Sequence, residues 1–121
     1  MLKKKISSYN DGVIGIYSEK STLINSFNAK TNAKTINDYD FMMNLFYSEQ
    51  SKRQEDFLFA EAMGKKLTLK VKTPLVEGIE TNHKVILNNM VYDIINIDPD
   101  KTNKELYFYL EGGRKLAWWN Q

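Results

Sequence analysis

The sequence predicts a mainly β fold: a small antiparallel β-barrel of about six strands with one short helix. Two observations predict this class. Short apolar or alternating segments recur between turn-forming residues, and the connections between them are too short for the crossover helices of a parallel sheet. Closing such a sheet into a barrel removes edges that would otherwise pair with other chains. The length of 121 residues predicts a single domain spanning residues 1–121.

Two apolar segments in the first half of the chain predict strands. The segment DGVIGIY, residues 11–17, places Ile14 and Ile16 on one face of a strand. The segment FMMNLFYSE, residues 41–49, is apolar enough to predict a strand that is buried on both faces.

One short helix is predicted at about residues 52–63. Ser51 is expected to cap it, because Gln54 follows at the spacing of a capping box. Gly64 supplies the left-handed residue that ends a helix. The second half of the helix is apolar, and its aromatic residues Phe57 and Phe59 are expected to dock it on the barrel; the apolar residues are Phe57, Phe59, Ala60, Ala62 and Met63.

The remaining strands are predicted after the helix. Residues 66–73, KLTLKVKT, alternate so that Lys66, Lys70 and Lys72 face away from the core side of Leu67, Leu69 and Val71. A hairpin with Asn88 and Asn89 at its turn follows, since Asn tolerates the positive φ needed there. The last clear strand is residues 105–113, with Leu106, Phe108 and Leu110 inward and Tyr107 and Tyr109 on the other face.

A long polar segment, residues 19–39, separates the first two strands and has neither a helical nor a strand period. Loops of this length within a compact domain are uncommon, and are usually functional or disordered. We therefore expect a functional loop here. Its candidate residues are Ile24, Asn25, Phe27, Asn28, Lys30, Thr31, Asn32 and Lys34.

The sequence indicates no catalytic, metal or cofactor site. The chain contains no cysteine, which excludes a disulfide framework and a thiol nucleophile. His83, the only histidine, is expected to be a surface or hydrogen-bonded residue at the entrance of a strand. Glu55 and Asp56 are adjacent, so on a helix they point apart and suit the helix dipole better than acid–base chemistry. We therefore expect no enzymatic activity and no cofactor.

Charge and aromatic content leave several binding hypotheses open. The net charge of +2 gives no strong field for polyanions. Alternate lysines on a strand lie about 7 Å apart, close to the phosphate spacing of a nucleic-acid strand. More often, lysines in this pattern solvate an outer face or protect an edge, or they face an acidic neighbour. For the two C-terminal tryptophans, packing of one ring back onto the barrel is an equal alternative to an interface role. The candidate protein interface comprises Lys66, Lys70, Lys72, Tyr107, Tyr109, Trp118 and Trp119.

Several segments of the sequence, taken in their order along the chain, resemble a known protein family. DGVIGIY, YSEQSKRQEDFLFAEAMG, LTLKVKTPLVEGI, HKVILNNMVYDIINIDPD and ELYFYLEGG together resemble the head–tail joining proteins (head-closure, stopper or connector proteins) of long-tailed bacteriophages. The resemblance spans about residues 11–113. It implies a small β-barrel with a helix and a long loop, and a virion structural protein without enzymatic activity or cofactor.

The resemblance also implies a place and partners. Copies of the chain would form an oligomeric ring below the portal and its adaptor, close the DNA exit channel and offer the docking surface for the tail. The implied partners are other copies of the chain, the portal or adaptor protein, a tail-terminator or tail tube protein, and packaged DNA in passing, with no membrane. Assembly would take place in the cytoplasm of the bacterial host, and the isolated chain could be a monomer.

Three rival functions remain after this comparison of residues. A tail-completion (tail-terminator) protein has a related size and works on the other side of the same joint. A single-strand nucleic-acid-binding small barrel would use the lysine strand. A small hydrolase is disfavoured, because no nucleophile–base arrangement is present in the sequence.

Overall fold

The computed structural model describes residues 8–20 and 36–116. Within them the chain forms six strands, one α-helix and a short 3-10 turn at Ile36–Asp38. The elements are β1 (Gly12–Glu19), β2 (Tyr39–Glu49), α1 (Gln54–Ala62), β3 (Leu69–Pro74), β4 (Lys84–Leu87), β5 (Met90–Asp100) and β6 (Glu105–Lys115).

All the strands belong to one antiparallel sheet in the order β1-β2-β3-β6-β5-β4, and β4 pairs back with β1. The hydrogen bonds therefore run in a ring, and the mainly β, barrel-like fold with one short helix is confirmed. The strand pairing is shortest between β2 and β3, where only two residue pairs, Ser48↔Lys72 and Glu49↔Val71, are in register. Helix α1 lies in the connection between these two strands.

The main core lies inside the closed sheet. The inward positions predicted on β1, β3 and β6 are confirmed, because their side chains join one buried cluster. Leu67 is also buried but precedes β3, and it packs with Ala60 and Ile95 in a separate cluster outside the sheet. The buried members of the main cluster are Ile14, Ile16, Leu45, Tyr47, Val71, Val85, Ile94, Leu106, Phe108 and Leu110.

The predicted turn residues are confirmed. Asn88 and Asn89 join β4 to β5 with φ values of 52° and 63°. A two-residue hairpin turn requires this left-handed backbone conformation. Gly64, with a φ of 69°, follows α1 at the position predicted to end it.

The start of the helix differs from the prediction. Helix α1 begins at Gln54, and its N-cap is Arg53, two residues after the predicted cap Ser51. The Asp56 carboxylate accepts a hydrogen bond of 2.9 Å from the Arg53 backbone N–H. Asp56 therefore fulfils the role predicted for Gln54, and the helix is shorter than the predicted residues 52–63.

Two expectations about burial were wrong. Strand β2 is not buried on both faces, because Phe41 is 56% and Phe46 64% exposed on the outside of the closed sheet. Helix α1 does not dock through its aromatic residues, because Phe57 and Phe59 are exposed. The helix contacts the sheet instead through the face that carries the buried residues Asp56 and Ala60, four positions apart.

Most of the predicted loop at residues 19–39 lies outside the described residues. Glu19 is the last residue of β1 and Tyr39 the first of β2, so these two ends of the segment belong to the sheet. All eight candidate loop residues named above fall in the part that is not described.

Candidate interaction surfaces

A buried ion pair holds α1 against the sheet. Lys70, on the outer face of β3, places its Nζ 3.0 Å from Oδ2 of Asp56 in the first turn of α1. The two side chains are only 7% and 6% exposed. The expectation that Lys70 points freely outward was therefore wrong: it lies on the predicted face of the strand, but α1 covers that face.

Two aromatic rings complete the surroundings of the Lys70 ammonium. Its Nζ lies 5.2 Å from the ring centroid of Tyr109 and 5.7 Å from that of Tyr107, both within the range of cation–π attraction. Strand β6 brings these rings alongside, since Lys70 pairs in register with Tyr109 and Lys72 with Tyr107. Tyr107 and Tyr109 thus lie on the outer face of the sheet, as predicted, where they are half-buried beside Lys70.

The electrostatics of this pair favour the charged carboxylate. Burial alone would raise the pKa of Asp56, but the Arg53 backbone hydrogen bond and the hydrogen bond and charge of Lys70 outweigh it. The pKa of Asp56 therefore lies below its ordinary value. Burial, followed by the negative charge of Asp56, raises the pKa of the Tyr109 hydroxyl.

Beside the pair, an open polar groove of about 350 Å³ runs along the start of α1. Its outer cation, Arg53, lies 3.0 Å from Glu55 and 3.7 Å from Asp56. The positive groups of this groove thus already have carboxylate partners within the chain. The groove is lined by Gln50, Ser51, Arg53, Lys70, Asp98, Tyr107 and Tyr109.

Lys72 also forms its ion pair within the chain. Its Nζ lies 3.4 Å from Oε2 of Glu105 and 5.6 Å from the ring centroid of Tyr9. The Tyr9 hydroxyl donates a 2.8 Å hydrogen bond to the same Glu105 oxygen, so the N-terminal segment covers this part of the sheet. Of the three candidate lysines, only Lys66 has an exposed side chain. The nucleic-acid hypothesis loses its main basis, because it required a row of free lysines.

A second charged network, which the sequence did not predict, lies on the outer face around β4. Lys84 Nζ is 2.8 Å from Asp93 Oδ1 and 3.6 Å from Glu19 Oε1. Arg114 approaches the same Asp93 oxygen at 3.7 Å and donates a 3.0 Å hydrogen bond to the Tyr39 hydroxyl. These contacts join β1, β4, β5 and β6 with β2, so they strengthen the closure of the ring.

An apolar surface, here called the β1–β2 strip, covers the outside of the first two strands. It consists of Val13, Tyr17, Phe41 and Phe46, in the register pairs Val13↔Phe46 and Tyr17↔Phe41. The Tyr17 and Phe41 rings meet edge to face with centroids 5.4 Å apart. A Cβ at Gly15 would come within 2.6 Å of the Tyr17 ring, so this glycine allows the ring to lie close over the strand.

A second set of exposed apolar side chains, here called the α1 ridge, lies around the helix away from the sheet, with Phe57 and Phe59 on opposite flanks because two helical positions differ by about 200°. It consists of Phe57, Leu58, Phe59 and Met63, all of them exposed, with Leu58 the most exposed at 56%. Because Asp56 and Ala60 occupy the face toward the sheet, these side chains project sideways and outward. Among the described residues, every large apolar side chain classed as exposed belongs to the ridge or the strip.

A second groove lies where the β3–β4 connection crosses the end of the sheet. It has a volume of about 760 Å³, and its apolar residues, such as Leu75 and Ile79, are half-buried against the main core. Lys101 and Lys104 stand at its rim. This groove has less exposed apolar surface than the ridge or the strip, because its residues serve mainly to close the core.

Outside these surfaces, side chains suited to catalysis or metal binding do not cluster in the described part of the chain. His83 Nδ1 accepts a 2.9 Å hydrogen bond from the Glu80 backbone N–H, which confirms the hydrogen-bonded role predicted for it. Residues 8–20 and 36–116 contain no group of three or more His, Asp or Glu side chains that could hold a metal ion. None of their helices is long and apolar enough to cross a membrane. Trp118 and Trp119 lie outside the described residues.

Comparisons with known proteins add no assignment. No protein-family model matches the sequence. A search of curated protein sequences likewise gives no match.

The first prediction concerns the buried ion pair. Asp56→Ala should lower the free energy of unfolding by roughly 3–5 kcal/mol, because it leaves the Lys70 ammonium buried without its carboxylate. The double variant Asp56→Leu/Lys70→Met should recover most of that loss, since it removes both charges. Urea denaturation monitored by circular dichroism measures all three proteins. The exposed neighbour Glu55→Ala is the matched control and should change stability by no more than about 0.5 kcal/mol. A double variant as unstable as Asp56→Ala would contradict this account.

The second prediction concerns acid stability. Because the pKa of Asp56 is lowered in the folded protein, its contribution to stability is complete above the ordinary value of 3.8. That contribution is lost as the pH falls through the lower folded-state pKa. Asp56→Asn should therefore show a weaker loss of stability between neutral and strongly acidic pH, measured by urea denaturation at several pH values. Some dependence should remain, because Asp93 also has a lowered pKa through Lys84 and Arg114. Glu61→Gln, on the exposed side of α1, should keep the slope of the unchanged protein.

Proposed function

We propose that the chain is a structural subunit of a multi-copy assembly that joins the DNA-filled head of a long-tailed phage to its tail. The observation that carries the proposal is the exposure of large apolar side chains on two separate surfaces of one small domain. Monomeric soluble proteins rarely expose contiguous apolar patches larger than a few hundred Å². Surfaces of this kind are typical of protein interfaces, whose central parts are rich in aromatic residues and methionine.

The phage assignment within this proposal rests on the sequence resemblance. The ordered blocks from about residue 11 to residue 113 resemble head–tail joining proteins, and the barrel-like sheet with one short helix is the fold that this resemblance implies. In this role, copies of the chain form a ring below the portal and adaptor. The ring closes the DNA exit channel and presents the surface that the tail-terminator or tail tube binds.

The charge distribution supports a subunit that meets DNA only in passing. Lys70 and Lys72 are neutralised by Asp56 and Glu105 within the chain, so the outer face of β3 offers little charge to a phosphate backbone. A joint that bound DNA tightly would oppose the exit of DNA from the head. We assign the closing of the exit channel to the candidate loop residues between Ile24 and Lys34, which thus form the candidate channel loop.

The experiment that tests this function is electron microscopy of particles assembled without the chain. Free, complete tails beside heads that have lost their DNA are expected, because an unsealed exit channel cannot retain packaged DNA. Adding the purified protein to filled heads should restore joining. As a matched control, protein carrying Glu77→Gln, an exposed change away from the ridge and the strip, should restore joining equally well.

Two other outcomes would change the assignment. Heads that stay full beside overlong or frayed tails would indicate a tail-terminator, which completes the tail and not the head. Normal particles would contradict any role at this joint.

A further inference from the structure

We propose that the indole of Trp118 packs onto the β1–β2 strip of its own chain, beside the Tyr17 ring. The occupant of the strip in the isolated protein is thus a segment of the same chain that lies outside the described residues. Packing of a tryptophan onto the barrel and an interface role are equal alternatives in the sequence, and this inference assigns the first to a defined surface. The contact itself does not depend on the proposed function.

The place where the described chain ends carries the first step. Leu116, its last residue, is buried, and its backbone N–H donates a 2.7 Å hydrogen bond to the carbonyl of Asn89 in the β4–β5 hairpin. Its side chain packs in a cluster with Ile86, which faces outward because its neighbour Val85 lies in the main core. Tyr17, a member of the strip, packs against the same cluster. The chain therefore leaves the described part of the protein next to the strip.

The spacing along the chain brings Trp118 to this surface. Each residue spans at most about 3.3–3.6 Å, so the Cα atom of Trp118 lies no more than about 7 Å from that of Leu116. In a segment that continues the extended course of β6, side chains two positions apart point to the same side. Trp118 therefore shares the side on which Leu116 packs, and Trp119 points away from the sheet.

The strip already contains the kind of contact that an indole makes. The Tyr17 ring meets the rings of Phe41 and Tyr39 edge to face, with centroids 5.4 Å and 6.4 Å apart. Aromatic pairs in this arrangement attract each other beyond the area that they bury, and one aromatic side chain buries roughly 150–250 Å². An indole beside Tyr17 extends this row of rings and covers the strip in part.

The contact has a consequence for association. A partner that binds the covered part of the strip must displace the indole, so the affinity of the strip falls by the fraction of molecules in which the strip is open. This consequence, unlike the contact itself, rests on the proposed function, in which the strip is an interface.

Tryptophan fluorescence tests the contact, because Trp118 and Trp119 are the only tryptophans of the chain. Trp119→Phe, here called the reporter protein, leaves Trp118 alone, and Trp118→Phe leaves Trp119 alone. In the folded reporter protein, Trp118 should emit at shorter wavelength and be quenched less by acrylamide than in urea. Trp119 alone should be nearly as accessible as in urea. Dilution should leave the protection of Trp118 unchanged, because the contact lies within one chain.

Changes in the strip should release the indole. In the reporter protein, Phe41→Ala together with Phe46→Ala should shift the emission of Trp118 to longer wavelength and remove most of its protection from acrylamide. The matched control is Phe57→Ala together with Leu58→Ala in the α1 ridge, which should leave the emission unchanged. All of these proteins should keep the same far-ultraviolet circular dichroism, because each substituted side chain is exposed.

A dye that binds exposed apolar surface gives a second measurement without any change in the strip. Trp118→Ser should bind more anilinonaphthalene sulfonate than the unchanged protein, because the rings beside Tyr17 become uncovered. Trp119→Ser is the matched control and should bind no more dye than the unchanged protein.

Three results would overturn the proposal. A Trp118 as accessible in the folded reporter protein as in urea would mean that it does not pack on the chain. A protected Trp118 that the changes at Phe41 and Phe46 do not release would mean that it packs elsewhere. Protection that disappears on dilution would mean that a second copy covers the indole.

Failure here is distinguishable from failure of the proposed function. A protected Trp118 in a protein whose removal leaves phage particles normal would retain the contact and reject the phage joint. Loss of DNA from heads without the protein, together with an accessible Trp118, would retain the joint and reject the contact.

Discussion

The buried pair of Asp56 and Lys70 is the interaction on which the arrangement of the exposed surfaces depends. A buried charge is tolerated in a protein only when a partner of opposite charge lies close by, and each of these two groups supplies that partner for the other. The same carboxylate also accepts the backbone hydrogen bond that begins α1. One side chain therefore sets both where the helix starts and which of its faces meets the sheet. The apolar ridge points outward as a consequence, because a nine-residue helix seated on Asp56 and Ala60 has no other way to place Phe57, Leu58 and Phe59.

An outward apolar ridge is costly for a domain that remains alone in water. Burying an exposed large apolar side chain is worth about 1.5–3 kcal/mol, and the described part of the chain leaves several such side chains exposed. The helix does not dock through its phenylalanines. It contacts the sheet through the ion pair of Asp56 and Lys70, and its large apolar side chains stay exposed. This division is understandable if the helix is an interface element, since the polar seat fixes its orientation and the apolar ridge supplies the contact. The strip on β1 and β2 has the same character, with exposed rings on a pair of hydrogen-bonded strands.

The sequence predicted most of the sheet, because its signals are local. Alternation placed Ile14, Ile16, Phe108 and Leu110 inside correctly, and the asparagine pair marked the hairpin. Each of these features depends on a few neighbouring residues and on strand geometry. By contrast, the apolar run of β2 predicts burial on both sides, since periodicity cannot distinguish a covered face from one that stays exposed, as that of Phe41 and Phe46 does.

The pairings between distant residues could not be predicted in this way. Asp56 and Lys70 are fourteen positions apart and lie on a helix and a strand whose relative placement no local pattern specifies. The same holds for Tyr9 and Glu105, which are separated by 96 positions. Alternation correctly predicts which face of β3 carries the lysines, but it does not show that Asp56 and Glu105 pair with Lys70 and Lys72. The only local signal is the Asp56 carboxylate at the third helical position. It predicts a capping role but does not identify Lys70 as the partner.

The measurement that tests this account most directly is amide hydrogen exchange of the unmodified protein at low and at high concentration. The central claim is that the ridge and the strip are the surfaces through which the chain associates. It predicts that rising concentration slows exchange in Gln54–Ala62 and in the paired strands Gly12–Glu19 and Tyr39–Glu49. The exposed turn at residues 101–104 should exchange at the same rate throughout. Slower exchange at the β3–β4 connection, with α1 and the first two strands unchanged, would contradict the claim and assign association to the groove at the end of the sheet.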